Sequence, residues 1–140
     1  MAESIREVMT PDPTTCRPSD SAFDAARVMS EGDFGAVVIA EDGGEVRGIV
    51  TDRDIVVRAV AEGRDPKSTE IGEILTTDPT TLSPDQSLDD AVNSLRDSHV
   101  RRLPVVDGSK VVGIVSIGDL AQARDEKSAL ADISAAAPNN

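Results

Sequence analysis

A stretch of this chain occurs twice. Asp12-Pro13-Thr14-Thr15-Cys16-Arg17-Pro18-Ser19-Asp20-Ser21 returns sixty-six residues later as Asp78-Pro79-Thr80-Thr81-Leu82-Ser83-Pro84-Asp85-Gln86-Ser87. Gly48-Ile49-Val50-Thr51 returns sixty-five residues later as Gly113-Ile114-Val115-Ser116, and each is followed three residues on by an aspartate, Asp54 and Asp119. Self-similarity at such a period means that one supersecondary unit was duplicated and that the copies share an apolar face. Two copies fill nearly all of the 140 residues. That length suits one compact domain burying roughly two-thirds of its unfolded surface, or two fused half-domains.

Within each copy, Pro and Asp precede a short extended segment (14–17 and 80–83) and then a helix start. Ser21-Ala22-Phe23-Asp24 and Ser87-Leu88-Asp89-Asp90 read as capping boxes with Asp in the place of Glu, which sets acidic side chains by the unpaired amides of the first turn. Ala22, Ala25, Ala26 and Met29, and likewise Leu88, Ala91, Val92 and Leu95, recur at i, i+3, i+4 and i+7, one apolar stripe per helix. Apolar strand pairs follow at 36–40 with 46–51 and at 102–106 with 110–116. Their turns contain Gly43-Gly44 and Gly108, the mark of hairpins. A second helix is predicted to start near Asp52 in one copy and near Ile117 in the other, so the unit reads strand, helix, strand, strand, helix. Residues 62–69 are polar, carry Gly63 and Pro66, and read as the linker. The expected division is 1–66 for the first domain with its N-terminal segment and the start of the linker, 67–127 for the second, and 128–140 for a C-terminal tail that frays.

Composition narrows the function. With two aromatic residues, Phe23 and Phe34, and no Trp or Tyr, base stacking on aromatic rings is largely excluded. Residues 1–70 hold eight basic and fifteen acidic side chains (−7) and residues 71–140 hold six and eleven (−5). Neither half offers the basic cluster that binding to a phosphate backbone or an anionic membrane draws on. The single cysteine, Cys16, has Leu82 as its repeat counterpart and reads as a small apolar filler. No signal pattern opens the chain, and the longest wholly apolar run is five residues, 36–40. The expected location is cytoplasmic.

The strand-to-helix junctions carry the chemistry. Gly48-Ile49-Val50-Thr51-Asp52-Arg53-Asp54 and Gly113-Ile114-Val115-Ser116-Ile117-Gly118-Asp119 each set a hydroxyl and a carboxylate at a helix start. Such a hydroxyl can cap the helix or donate to a phosphate oxygen. The acid can accept from both hydroxyls of a ribose, as in dinucleotide folds. A Ser or Thr cap with an acid three residues on is also a purely structural helix start; duplication at matching positions favours the functional reading. His99 has no partner cysteine or second histidine, so no transition-metal site is expected. Asp52 and Asp54, two apart on a helix, point to different faces and do not form a catalytic pair. No nucleophile, base and orienting group form a set, so an enzyme is not expected.

The order of elements, the hairpin Arg101-Arg102-Leu103-Pro104-Val105-Val106-Asp107 and the doubled Gly-Ile-Val-Thr/Ser-x-x-Asp resemble the CBS domain, named for cystathionine β-synthase and present as a tandem pair or Bateman module. The resemblance runs from about Ile5 to about Arg124. Residues 50–56 are in addition similar to stand-alone bacterial CBS proteins, hypoxic-response types among them. The resemblance implies an α/β (α+β) fold of two β-α-β-β-α units packed with pseudo-twofold symmetry, two clefts for adenosyl ligands such as AMP, ADP, ATP, NAD or S-adenosylmethionine, and a homodimer. On the matching positions, Thr51 and Ser116 would contact phosphate or ribose, and Asp54 and Asp119 the ribose diol. Thr14, Thr15 and Cys16 with Phe34, Gly35 and Ala36, and Thr80, Thr81 and Leu82 with Val100, Arg101 and Arg102, would line the base and phosphate regions. His99, Arg101 and Arg102 bring cations to the second cleft; the first has Asp33, Gly35 and Ala36 there and offers only Arg53 within its motif. A di- or triphosphate needs fixed positive charge, so the second cleft is expected to be the better site. The function implied is a non-catalytic regulatory module that needs no cofactor, binds an adenosyl nucleotide and acts in trans on a separate partner. The alternative is a ligand-independent dimerisation or protein-interaction module with degenerate clefts.

Overall fold

The computed structural model describes residues 4–77, 79–96 and 101–127; the expected tail, 128–140, lies outside them. A short helix α1 (Ile5–Val8) and strand β1 (Thr10–Pro11) come first. The first copy then supplies β2 (Thr15–Cys16), α2 (Ala22–Gly32), β3 (Ala36–Ala40), β4 (Val46–Thr51) and α3 (Asp52–Ile55), which continues as a π-helical stretch over Val56–Val60. A 3₁₀ turn, Ile71–Glu73, leads to the second copy: α4 (Leu88–Arg96), β5 (Arg102–Asp107), β6 (Lys110–Ser116) and α5 (Ile117–Lys127). Helices and small sheets thus alternate as the periodicity predicts, in a mixed α+β fold.

Each helix forms where its stripe and cap agree. In α2 the buried residues are Ala22, Ala25 and Met29, and in α4 they are Leu88, Ala91 and Leu95. Ser21 Oγ accepts the Asp24 N–H at 3.1 Å, and Asp24 Oδ2 accepts the Ser21 N–H at 3.1 Å. The linker completes this cap: the carbonyls of Thr69 and Pro66 accept the N–H groups of Ala22 (2.8 Å) and Phe23 (3.1 Å). Three amides that a helix start leaves unpaired are satisfied, so the segment read as a spacer is part of the unit. Ser87 Oγ receives the Asp90 N–H at 3.2 Å in the second copy.

The two sheets share one plan. β2 lies parallel to β3, which is antiparallel to β4; β5 and β6 are likewise antiparallel. The extended segment expected at 80–83 contracts to one parallel bridge, Leu82 with Val105, in the register that joins Cys16 to Ile39. Both hairpins shift register at equivalent points, between Ile39 and Ala40 and between Val105 and Val106. All five residues of β3 are buried, which fits a central strand covered on both faces.

The fourth position of each sheet comes from the leader of the other repeat. Thr10 of β1 pairs with Ile114 of β6, while its repeat counterpart Thr76 bridges Ile49 of β4. Ile5 is fully buried in a core with Leu82, Leu88, Leu103, Val105 and Leu120; Ile71 and Ile74 are buried with Val37, Ile39, Val50 and Ile55. The compact units are accordingly Thr14–Pro79 on one side and, on the other, the residues up to Pro13 together with those from Thr80 onward. These spatial units cut across the linear repeat, because each leader is exchanged.

That exchange explains two glycines. A Cβ at Gly48 would strike the Thr76 carbonyl and lie 2.6 Å from Leu75 Cδ1; one at Gly113 would strike Met9 Sδ and lie 3.0 Å from the Thr10 carbonyl. Both glycines give the incoming leader its place on the sheet edge.

Candidate functional site

β4 runs directly into α3, and β6 into α5, so Thr51 and Ser116 are at once last strand residue and helix cap. In the first copy Thr51 Oγ1 accepts the Asp54 N–H at 3.1 Å, and Asp54 Oδ2 accepts the Thr51 N–H at 3.0 Å. The second copy repeats this: Ser116 Oγ takes the Asp119 N–H and Asp119 Oδ2 the Ser116 N–H, both at 3.1 Å. The hydroxyl and acid that the sequence singles out are brought together in each copy, and they close reciprocal capping boxes. The first helical amide is also satisfied in the same way, Asp52 N–H by the Gly35 carbonyl at 2.9 Å and Ile117 N–H by the Arg101 carbonyl at 2.8 Å.

Beyond that shared frame the copies part. The second amide of α3, on Arg53, donates to Asp52 Oδ1 at 2.8 Å. Its counterpart on Gly118 has no hydrogen-bond partner among the described residues. A Cβ at Gly118 would meet only Ser116 Oγ, at 3.8 Å. Asp54 is buried and its carboxylate engaged: Oδ2 also receives the Thr76 hydroxyl at 3.4 Å, and Oδ1 faces Arg58 Nη1 at 3.8 Å. Asp119 is half-buried, and its Oδ1 accepts no hydrogen bond among the described residues. The first copy thus closes its second helical amide with Asp52 and sets Thr76 and the Arg58 cation against Asp54, whereas the second leaves the Gly118 amide open and Asp119 with neither contact among the described residues.

The remaining expected residues fall as follows. Thr15 is exposed on β2, paired with Val38; Thr80 and Thr81 are exposed just before the Leu82 bridge. Phe34 is half-buried and packs against the first-copy core. Arg53 is exposed beside Asp52, while Arg101 is exposed and Arg102, opposite Ser116 in the hairpin register, is half-buried. His99 and Val100 lie outside the described residues. Sequence reasoning missed Arg58 and Thr76. Arg58, four residues after Asp54, could have been read as a helical ion pair; Thr76 carries no such signal.

Two titrations bear on chemistry. Burial, and then the charges of Asp20 and Asp24, push the Cys16 thiol from 9.0 up to about 11, so it is no thiolate nucleophile near neutral pH. Glu73 is held below the usual carboxylate range, first by the hydrogen bond from Arg64 and then by the Glu70 N–H. Among the described residues no group of three or more His, Cys, Asp or Glu is disposed to hold a metal ion, and no helix is long and apolar enough to cross a membrane.

Comparison with known proteins agrees with this architecture. The CBS domain family model matches twice, at residues 5–60 and 71–126. CBS domain-containing protein YhcV of Bacillus subtilis is 38% identical over 118 residues, spanning 84% of this chain and 83% of that protein. The crystal structure of Hypoxic Response Protein I with two coordinated zinc ions superposes with a TM-score of 0.79 at 32% identity, covering 85% of this chain and 97% of the other; the protein of that name in Mycobacterium tuberculosis is likewise 32% identical over 119 residues, 85% of this chain and 83% of its own length. CBSX2 in complex with AMP superposes with a TM-score of 0.77 at 25% identity, covering 90% and 98% of the two chains. With the doubled motif, the doubled sheet plan and the doubled family match in agreement, the chain belongs to the CBS domain family as a tandem pair.

Proposed function

We propose that this tandem pair is a non-catalytic regulatory module that binds an adenosyl nucleotide and acts in trans on a separate protein of the cytoplasm, as a homodimer. The observation that carries the reading is the open helix start of the second copy. The Gly118 N–H is unpartnered among the described residues and can meet a phosphate oxygen at the positive end of α5; Asp119 Oδ1 is free there to accept from a ribose hydroxyl. Ser116 and Asp119 are the central contacts, with Thr80, Thr81, Arg101 and Arg102 around them, and His99 and Val100 beyond the described residues. Thr51, Asp54, Thr15, Phe34 and Arg53 form the weaker first-copy counterpart. The AMP in the CBSX2 crystal supports AMP, ADP or ATP as the ligand class, and NAD and S-adenosylmethionine share the same adenosyl group. The aliphatic surroundings of the motif suit a base held between alkyl walls.

Melting temperature with each of these nucleotides tests the proposal. A ligand at a hundred times its dissociation constant stabilises by roughly 2.7 kcal/mol. Asp119→Asn keeps an oxygen for the Ser116 N–H but removes the charge, and the ligand-induced shift is expected to fall to the small remainder that the first copy supplies while the unliganded melting point barely moves. A second reading, a ligand-independent interaction module, is favoured by one observation: in both copies the hydroxyl and acid already satisfy each other as a cap. A flat response to every nucleotide would select it.

A further inference from the structure

The first copy contains a contact that its partner lacks. Arg58 Nη1 donates to the carbonyls of Ile74 (2.9 Å) and Leu75 (3.3 Å), and the same nitrogen faces Asp54 Oδ1 at 3.8 Å. Thr76, the next residue of that leader, donates its hydroxyl to Asp54 Oδ2 at 3.4 Å and is fixed to Ile49 by two backbone hydrogen bonds of 2.8 and 3.0 Å. Asp54, nine-tenths buried, therefore meets, through Oδ2 and Thr76, the segment that continues through Pro79 into the second-copy unit, while Oδ1 faces an arginine tied to the same segment's carbonyls. At the equivalent places of the second copy stand Ala123, which has no charge to offer, and Thr10, whose hydroxyl makes no bond to Asp119 among the described residues.

We infer that Arg58 and Thr76 form an autoinhibitory latch: the Thr76 hydroxyl takes up Asp54 Oδ2 and the Arg58 guanidinium, tied to the Ile74 and Leu75 carbonyls, stands 3.8 Å from Oδ1, so a ribose diol reaches the Asp54 carboxylate only by displacing the Thr76 hydroxyl and loosening residues 71–76. This rests on the nucleotide-binding reading above and deepens it. Affinity at the first copy is lowered by the bonds that must be broken. By reciprocity, occupancy there weakens the leader's hold on β4. A ligand in one copy is in this way felt by the polypeptide that joins it to the other unit. Arg58 and Thr76 are positioning residues, since neither is required to touch the ligand.

AMP titration by calorimetry separates the possibilities, with the intact chain throughout. Asp119→Ala confines binding to the first copy, and adding Thr76→Val, which deletes the hydroxyl at nearly constant volume, is expected to tighten AMP roughly fivefold to tenfold, the size of one hydrogen bond. Thr76→Ser in the same background should restore the weak binding of Asp119→Ala alone. AMP should also speed amide exchange at Thr76 in Asp119→Ala. No heat from the unsubstituted chain overturns the nucleotide reading and the latch together. Binding to the unsubstituted chain, with first-copy affinity indifferent to Thr76→Val or absent in both variants, overturns the latch alone.

Discussion

Cys16 shows how far a single position can be read from its counterpart. Leu82 at the matching site marks the cysteine as core filler, and both are buried, at 4% and 1% exposure. The thiol's high pKa follows from that burial and from the two aspartates nearby. Because the folded value lies above the unfolded one, the neutral thiol contributes stability that is complete below pH 9 and is lost as pH rises toward 11. Cys16→Val should remove this alkaline loss, measured as the melting temperature between pH 8 and 11, and a thiol-alkylating reagent at pH 8 should label the native chain only at its rate of opening. Arg58 and Thr76 stand at the other extreme. The spacing of Arg58 from Asp54 hints at their ion pair, but which carbonyls the guanidinium reaches, and which carboxylate the Thr76 hydroxyl meets, depend on the fold and leave no mark in the sequence.

At the scale of elements, periodicity and caps were sufficient wherever structure is local. The stripe Ala22, Ala25, Met29 and the box Ser21–Asp24 place α2, and the doubled junctions place α3 and α5 within a residue. Contacts made by backbone atoms are illegible, because a carbonyl has no signature in the sequence. The Thr69 and Pro66 carbonyls that finish the cap of α2 belong to a stretch whose Gly and Pro read only as a spacer. The glycines of the repeated Gly-Ile-Val motif were visible as a pattern without a reason, which the leader supplies. Gly48→Ala would press a methyl group into the Thr76 carbonyl and Leu75, and the expected cost is about 1–3 kcal/mol by chemical denaturation. Gly43→Ala meets nothing within 4 Å and serves as the control, with a change near zero. Equal effects of the two substitutions would mean that the leader does not rest on β4.

For the whole molecule, the period of the repeat was plain in the sequence and the exchange of leaders was not. Ile5 and Ile71 are the same position of the duplicated unit, and nothing in their own residue types distinguishes packing against the adjoining copy from packing against the other; the choice depends on the path of the chain through Pro13 and Pro79. The structure decides it by burial, with Ile5 and Ile71 both fully enclosed, the first among Leu103, Val105 and Val115, the second among Val37, Ile39 and Val50. Truncating either to Ala should cost about 2–5 kcal/mol, since each removes a wholly buried aliphatic side chain. The location of the damage is the sharper measurement. Stability varies across a fold, and amide exchange reports each region's own opening. Ile5→Ala should accelerate exchange at Leu103, Val105 and Val115, 98 residues or more beyond it in the chain, while sparing Val37, Ile39 and Val50, which begin about thirty residues away. Ile71→Ala should do the reverse. If Ile5→Ala instead loosened the nearer strands, the repeats would be self-contained, the leader would carry no signal between them, and the latch on Asp54 would lose its connection to the second unit.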